Sequence, residues 1–268
     1  MINARELIGT HDVLFITLDT LRYDVAVSAL DRGRTPNLAG LLPNGKWERR
    51  HTPGSFTFAA HQAFFAGFLP TPAGPGHEKA PRLFAADFPG SETTAPETCV
   101  FDTPDIVSGL ASRGYHTICV GGVGFFNKLT PLGCVLPDLF AESHWSPELG
   151  VTDPDSTKNQ VERARASLAD QPADRRVFLF LNVSAIHQPN CFYSSGRKED
   201  SPETMAAALG YVDEQLAPLF EALRQRAPAL CIICSDHGTA YGDDGYHGHR
   251  LSHPVVWDVP YAEFILTP

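Results

Sequence analysis

Basic charge is what this chain has least of. Lysine and arginine number 21 against 31 acidic residues, for a net charge of −10. No basic stripe runs along any segment, so a nucleic-acid backbone is not an expected partner. No apolar run approaches the roughly 20 residues of a membrane-spanning helix, so no membrane is expected either. The opening Met1-Ile-Asn-Ala-Arg5-Glu6 lacks the charged and apolar regions of a secretory leader, and the expected location is the cytoplasm. Cysteine is sparse, at six residues. In a chain of this length without a leader, reduced thiols are expected rather than a disulfide framework. Cys231 and Cys234 form a C-x-x-C, but inside an apolar strand, which reads as core filling and not as a zinc knuckle. Internal repeats are also missing. The sequence carries no sign of protein partners.

What is present suits a single globular domain over residues 1–268. Apolar residues make up 43% of the chain and charged ones 19%, enough to build a large core and too apolar for disorder. An acidic protein that handles an anionic substrate commonly neutralises it locally with a metal.

The most informative stretch is Asp12-Val-Leu-Phe-Ile-Thr-Leu-Asp19. A continuous apolar run that ends in an acidic residue is the pattern of a strand buried on both faces. Ala229-Leu-Cys-Ile-Ile-Cys-Ser235 runs the same way into Asp236-His237-Gly238, and Val177-Phe-Leu-Phe-Leu-Asn-Val-Ser184 leads to His187-Gln-Pro189. Ligands of open α/β sheets bind outside the carboxyl ends of the strands. Asp19, Asp236 and His237 would meet there. Carboxylate oxygens with an imidazole suit Zn²⁺ or Mn²⁺ first, and Mg²⁺ or Ca²⁺ after them.

Between these strands the chain reads as helices. Thr35 is a candidate N-cap with Pro36 at the first helical position, and that helix ends near Pro43-Asn44-Gly45. A turn at Pro53-Gly54-Ser55 precedes a helical run stopped by Gly67 and Pro70, which sets Thr57 at or near a helix N-terminus. The backbone dipole there favours an anion. His61, four residues on, shares its face. Residues 70–100 and 123–155 read as excursions, the first as a lid. Further helices are expected over 103–113, 156–170 and 202–226, with Pro218 as a kink, and strands over 115–120 and 261–267. Strands alternating with helices predict a three-layer α/β/α sandwich with a mostly parallel central sheet.

A hydroxyl beside a divalent cation becomes a nucleophile, so Thr57 could attack a phosphorus or sulfur centre. His187 and His249 are candidates to protonate the leaving oxygen or grip the anion. Each residue also has a bland reading. Asp19 could cap a strand, Thr57 could cap a helix, and Ser55 is a rival nucleophile two residues away. His61 divides evenly between a site group and a packed core histidine. His247 and His253 read as solvated, and Asp243 with Asp244 as an exposed turn.

At these residues the chain resembles the alkaline phosphatase and sulfatase superfamily. Leu18-Asp19-Thr20-Leu21-Arg22-Tyr23-Asp24 followed by Thr35-Pro36-Asn37-Leu38 is similar to its first metal-ligand segment. Thr57-Phe-Ala-Ala-His61 through Gly67 is similar to its nucleophile helix, and Phe178 to Asn182 with His187-Gln-Pro189 to its substrate-facing strand. Ser235-Asp236-His237-Gly238 with Gly248-His249 is similar to its second ligand segment. The resemblance implies an alkaline-phosphatase-like fold and metal ligands Asp19, Thr57, Asp236 and His237. It implies Thr57 as nucleophile, with His61, His187 and His249 as substrate groups, the last two also as second-metal groups. Arg22 is read as structural, tying Asp24 or its loop.

Departures from the family narrow the expected chemistry. The sulfatase motif Cys-x-Pro-Ser-Arg is absent, with Thr57 at the cysteine position, which favours phosphate mono- or diesters or phosphonates over sulfate esters. Ala185 stands where many relatives carry an aspartate, so one firm metal site is expected and the second is left open. The chain also stops where family sulfatases continue into a smaller C-terminal domain. Rival readings are a sulfatase, a phosphotransferase or mutase, and a non-catalytic metal- or partner-binding protein. The expected partner is a small anionic ester.

Overall fold

The computed structural model describes residues 2–67, 84–86, 99–101 and 105–268. In chain order its elements are α1 (Ala4–Leu7), β1 (Asp12–Leu18), α2 (Tyr23–Asp31), α3 (Pro36–Leu41), β2 (Glu48–His51), α4 (Thr57–Ala66), β3 (Phe84–Ala86), β4 (Cys99–Phe101), α5 (Ile106–Ser112) and β5 (His116–Val120). There follow α6 (Pro131–Val135), β6 (Glu142–His144), α7 (Ser156–Ala169), β7 (Val177–Val183), α8 (Pro202–Arg226), β8 (Ala229–Cys234), β9 (Ala240–Asp243), β10 (Tyr246–Gly248), α9 (Pro254–Trp257) and β11 (Asp258–Leu266).

One seven-stranded sheet runs in the order β2-β11-β8-β1-β7-β5-β6. Strands β8, β1, β7, β5 and β6 are parallel, and β11 and β2 add an antiparallel edge. Side chains alternate across β1, as strand geometry requires. Leu14, Ile16 and Leu18 point into one core with α2, α3, α7 and α8. Val13, with Phe15 packed beside it, points into a second core with α4 and α5. Helices therefore cover both faces, and the expected α/β/α sandwich is the observed fold.

Strand register positions the site. Thr17 pairs with Cys234 on β8 and with Asn182 on β7. Asp19 and Asp236 each lie two residues beyond that pair, so the two carboxylates emerge side by side at the sheet's carboxyl edge. At the opposite end Asp12 is buried at 1% exposure. It is held by Arg226 Nε at 3.0 Å and Arg176 Nη1 at 3.4 Å, and it accepts the Val177 amide at 2.9 Å.

Several expectations need correction. Thr35 precedes α3 but makes no capping bond with its side chain. Asp213 of α8 caps that helix instead, accepting from the Asn37 and Leu38 amides at 3.1 and 2.7 Å. Pro218 lies inside α8 as expected, and the helix continues past it to Arg226. The last strand begins at Asp258 rather than Tyr261 and is antiparallel. The 123–155 segment, without periodicity in sequence, holds α6, single helical turns and the edge strand β6. The 70–100 excursion lies mostly outside the described residues; β3 and β4 pair in parallel. Cys119, Cys134, Cys191, Cys231 and Cys234 are free thiols, the last two buried in β8 as expected for core filling. No helix among the described residues is long and apolar enough to cross a membrane.

Candidate metal centre

Asp19, Asp236 and His237 converge with all three ligand atoms within 4.8 Å of one another, every one of them buried. Asp19 extends β1, and its Oδ2 accepts from Asn182 Nδ2 of β7 at 3.1 Å. Asp236 extends β8. Its Oδ1 accepts the amide of His237 at 3.0 Å and that of Thr20 at 3.2 Å. Thr20 reaches it because its backbone is left-handed, with φ at 65°. His237 Nδ1 lies 2.8 Å from the Gly238 carbonyl, an acceptor only, so Nδ1 carries the hydrogen and Nε2 offers a lone pair. That Nε2 lies 3.6 Å from Asp236 Oδ2 and 3.9 Å from Asp19 Oδ1.

Those two carboxylate oxygens, Asp19 Oδ1 and Asp236 Oδ2, are buried without any hydrogen-bond donor. Burial, then the neighbouring charge of Asp236, pushes the Asp19 carboxyl up to about 6. Burial pushes Asp236 up to about 7 against the bonds that oppose it. Two orphaned anionic oxygens facing an imidazole lone pair form a donor set that fits a divalent cation. Hydrogen bonds from Asn182, Thr20 and the Gly238 carbonyl orient these ligands from behind, as in most metal sites.

Thr57 opens α4, and its Oγ1 lies 3.4 Å from Asp19 Oδ2 and 3.3 Å from His237 Nε2. Gly54 lets the turn before α4 lie against that helix, because a side chain there would meet the Ala60 amide nitrogen at 2.5 Å. A cleft of about 350 Å³ opens over Thr57, with His187, His249 and Arg250 on its polar side. His187 Nδ1 lies 2.6 Å from the Gln188 carbonyl and must donate to it, which leaves Nε2 as the second ring nitrogen. The His249 ring sits 4.6 Å from that of His237 and 6.1 Å from that of His187. Burial, then the neighbouring His237, lowers His249 to about 4, so its ring is neutral at pH 7.

The expected ligand atoms thus come together, and His187 and His249 face one cleft beside them. His61 does not. It is fully buried beneath α4, ringed edge-on by Phe64, Phe126 and Phe180, and burial lowers it to about 3. The expected substrate contact of His61 is not met, since the side chain is fully buried and lies outside the cleft lining. Its Nδ1–H donates to the Thr57 carbonyl at 2.7 Å and its Nε2 accepts from Thr17 Oγ1 at 3.1 Å. Asn182 joins that hydroxyl, at 3.2 Å, to Asp19. Ser55 lies outside the cleft lining. Arg22 is structural as expected, with Nη2 at 2.7 Å from Asp24 and Nη1 at 2.8 Å from Asp243. Asp243 is thereby paired rather than a free turn residue. His253 caps α9 and meets Asp244 at 3.1 Å. Sequence reasoning missed Asn182, Thr20 and Arg250. A polar residue inside the apolar run of β7 was the available signal for Asn182.

The family model for sulfatases matches residues 11–261. The chain belongs to the sulfatase family. Members of its superfamily are enzymes, sulfatases and phosphoethanolamine transferases among them, and they use a divalent metal. Among solved structures this sulfatase-family chain is similar to the C-terminal periplasmic domain of phosphoethanolamine transferase EptC from Campylobacter jejuni. The TM-score is 0.62 at 13% identity, over 96% of this chain and 80% of that one. It is also similar to lipooligosaccharide phosphoethanolamine transferase A, an integral membrane protein of Neisseria meningitidis. That match has a TM-score of 0.66 at 14% identity, over 96% of this chain and 48% of that one, so this chain spans about half the longer protein. The periplasmic domain of EptC from Escherichia coli, described as a complex with Zn, aligns with a TM-score of 0.61 at 12% identity over 95% of this chain and 72% of that one. At these identities the likeness carries the fold alone. No curated protein sequence matches the chain significantly.

Proposed function

We propose that this chain is a metal-dependent hydrolase of phosphate mono- or diesters or phosphonates, with Thr57 as the nucleophile. One observation carries the reading. The Thr57 hydroxyl stands within 3.4 Å of both Asp19 Oδ2 and His237 Nε2, at the first position of a helix and on the floor of an open cleft. Asp19, Asp236, His237 and Thr57 would hold the cation, Zn²⁺ or Mn²⁺ by the donor types. When bound, such a cation lowers the pKa of a neighbouring hydroxyl and offsets charge developing on phosphate oxygens.

The chain's own groups do the rest. Thr57 Oγ1 loses its proton to water in the open cleft and attacks phosphorus, a Thr57 O–P bond forms, and the bond from phosphorus to the organic oxygen breaks. The positive end of the α4 dipole faces the charge that accumulates at Thr57. A proton from Nε2 of His187, in its imidazolium form, neutralises the departing oxygen, and the neutral His249 ring grips the anion. Water then cleaves the Thr57 ester. Structural likeness to phosphoethanolamine transferases favours a second reading, in which an alcohol replaces that water. The family match keeps sulfate esters as a third.

Hydrolysis of an aryl phosphodiester with Zn²⁺ or Mn²⁺ supplied tests the proposal. Thr57→Ala is expected to remove turnover and Thr57→Ser to keep part of it. Undiminished turnover by Thr57→Ala overturns the nucleophile. An added alcohol that appears in the product selects the transferase reading.

A further inference from the structure

The cleft over Thr57 is lined by one guanidinium, that of Arg250, and by several apolar side chains. The Arg250 amide donates to the Ser55 carbonyl at 2.8 Å, which ties it to the turn entering α4, and its backbone is left-handed with φ at 68°. Its guanidinium sits over the Phe56 ring, 4.6 Å from the centroid. Phe56 immediately precedes Thr57, so the cation is held beside the nucleophile. Arg250 has no acidic partner among the described residues, in a chain with ten more acidic than basic side chains. Apart from Thr57, Thr130 and the histidines, the rest of the lining is apolar. Val123, Phe125, Leu132 and Val151 form it, with the Phe125 ring tilted 5.5 Å from that of Phe58 and 6.2 Å from that of Phe56, and Leu132 45% exposed on α6. None of these four carries a hydrogen-bonding side chain for a sugar hydroxyl or a base edge.

We propose that this cleft selects esters whose organic group is apolar, an aryl or short alkyl chain, with Leu132 and Phe125 gripping that group and Arg250 the anionic head. The inference rests on the ester-site reading of the cleft. An unpaired guanidinium fixed against an aromatic face offers a planar fork to a phosphoryl or sulfonyl group. A ring or alkyl chain laid on Phe125 and Leu132 removes apolar surface from water, and a polyol there would meet a single hydroxyl, that of Thr130.

The test is equilibrium binding, which needs no turnover. The full chain, supplied with Zn²⁺, is titrated calorimetrically with methylphosphonate and with phenylphosphonate, neither of which has an ester bond to break. Wild type is expected to prefer the phenyl compound by about tenfold. Leu132→Asn, an uncharged change at an exposed position, is expected to reduce that preference below about threefold. Arg250→Gln is expected to weaken both compounds by about tenfold and leave their ratio intact. Equal affinity of wild type for the two compounds, or no binding of either, overturns the proposal. So does a preference that survives Leu132→Asn, or an Arg250→Gln protein that binds as wild type does. Loss of the Thr57 nucleophile reading would show in the turnover comparison and leave these affinities unchanged, so the two failures are separable.

Discussion

Substituting Asp236 by asparagine should stabilise the metal-free protein while it destroys the metal centre. Asp236 is fully buried, and its Oδ2 has no donor. Its folded carboxyl holds a proton up to about 7, against 3.8 as the ordinary value. Between those pH values the native state binds more protons than the unfolded one, so stability falls as pH rises through the window. The penalty is absent below pH 4 and complete above about 7. At 1.36 kcal/mol per unit it amounts to about 4 kcal/mol, or roughly 2 if Asp19 relaxes in response. Asparagine keeps an oxygen for the Thr20 and His237 amides and brings no charge. In chelator at pH 8, Asp236→Asn should therefore unfold roughly 5–15 °C above wild type by calorimetry. At pH 4 the two should coincide. Added Zn²⁺ should raise the wild type steeply and the variant little, since ligand binding stabilises only a state that holds it. A metal-free variant that melts with or below wild type at pH 8 refutes the argument, as does a gain that persists at pH 4.

Two further substitutions separate catalysis from scaffolding. His61→Leu fills the same aromatic box and removes the links to Thr57 and Thr17. It should change stability by about 1–2 kcal/mol and lower kcat about tenfold or more with KM nearly constant; an unaltered kcat would reduce His61 to packing. Asp213→Ala removes the carboxylate that caps α3 across the helix interface and should cost about 1–3 kcal/mol in denaturant unfolding. Metal content should be unaffected, and a loss of metal there would mean the cap and the site are coupled.

The sheet was legible where burial is complete. Strands β1, β7 and β8 are apolar but for Asp12, Thr17 and Asn182 because helices cover both faces, and such runs admit few other readings. The edges were not. Strand β2 is Glu-Arg-Arg-His, exposed throughout, and its strand identity comes only from pairing with β11. Strand β6 is equally dependent on β5. The same division runs through the site. Asp19, Asp236 and His237 follow apolar strands directly, so chain order alone brings them to one edge. His61 shares a helical face with Thr57, yet Thr57 meets the metal site from the helix end while His61 lies one turn deeper, against Phe180. Helical spacing cannot tell those depths apart. Asp213 and Arg250 act across 175 and 195 residues respectively, on α3 and on the turn before α4, and no local pattern announces either.

Ala185 bears on how many cations the centre takes. It is fully buried in the core beside Ile186 and offers only a methyl group. Around the firm cluster, that leaves His187 and His249 as the next donors. Their rings stand 6.1 Å apart, and no third His, Cys, Asp or Glu among the described residues completes a set with them. Two imidazoles without a carboxylate bind a divalent cation far less tightly than two carboxylates and an imidazole that hydrogen bonds already orient. Elemental analysis after dialysis should therefore find one equivalent of metal. The His187→Ala, His249→Ala double variant should retain that equivalent and lose turnover, because both rings face the cleft and not the cluster's core. Two retained equivalents in wild type, falling to one in the double variant, would mean the pair does hold a second cation despite Ala185.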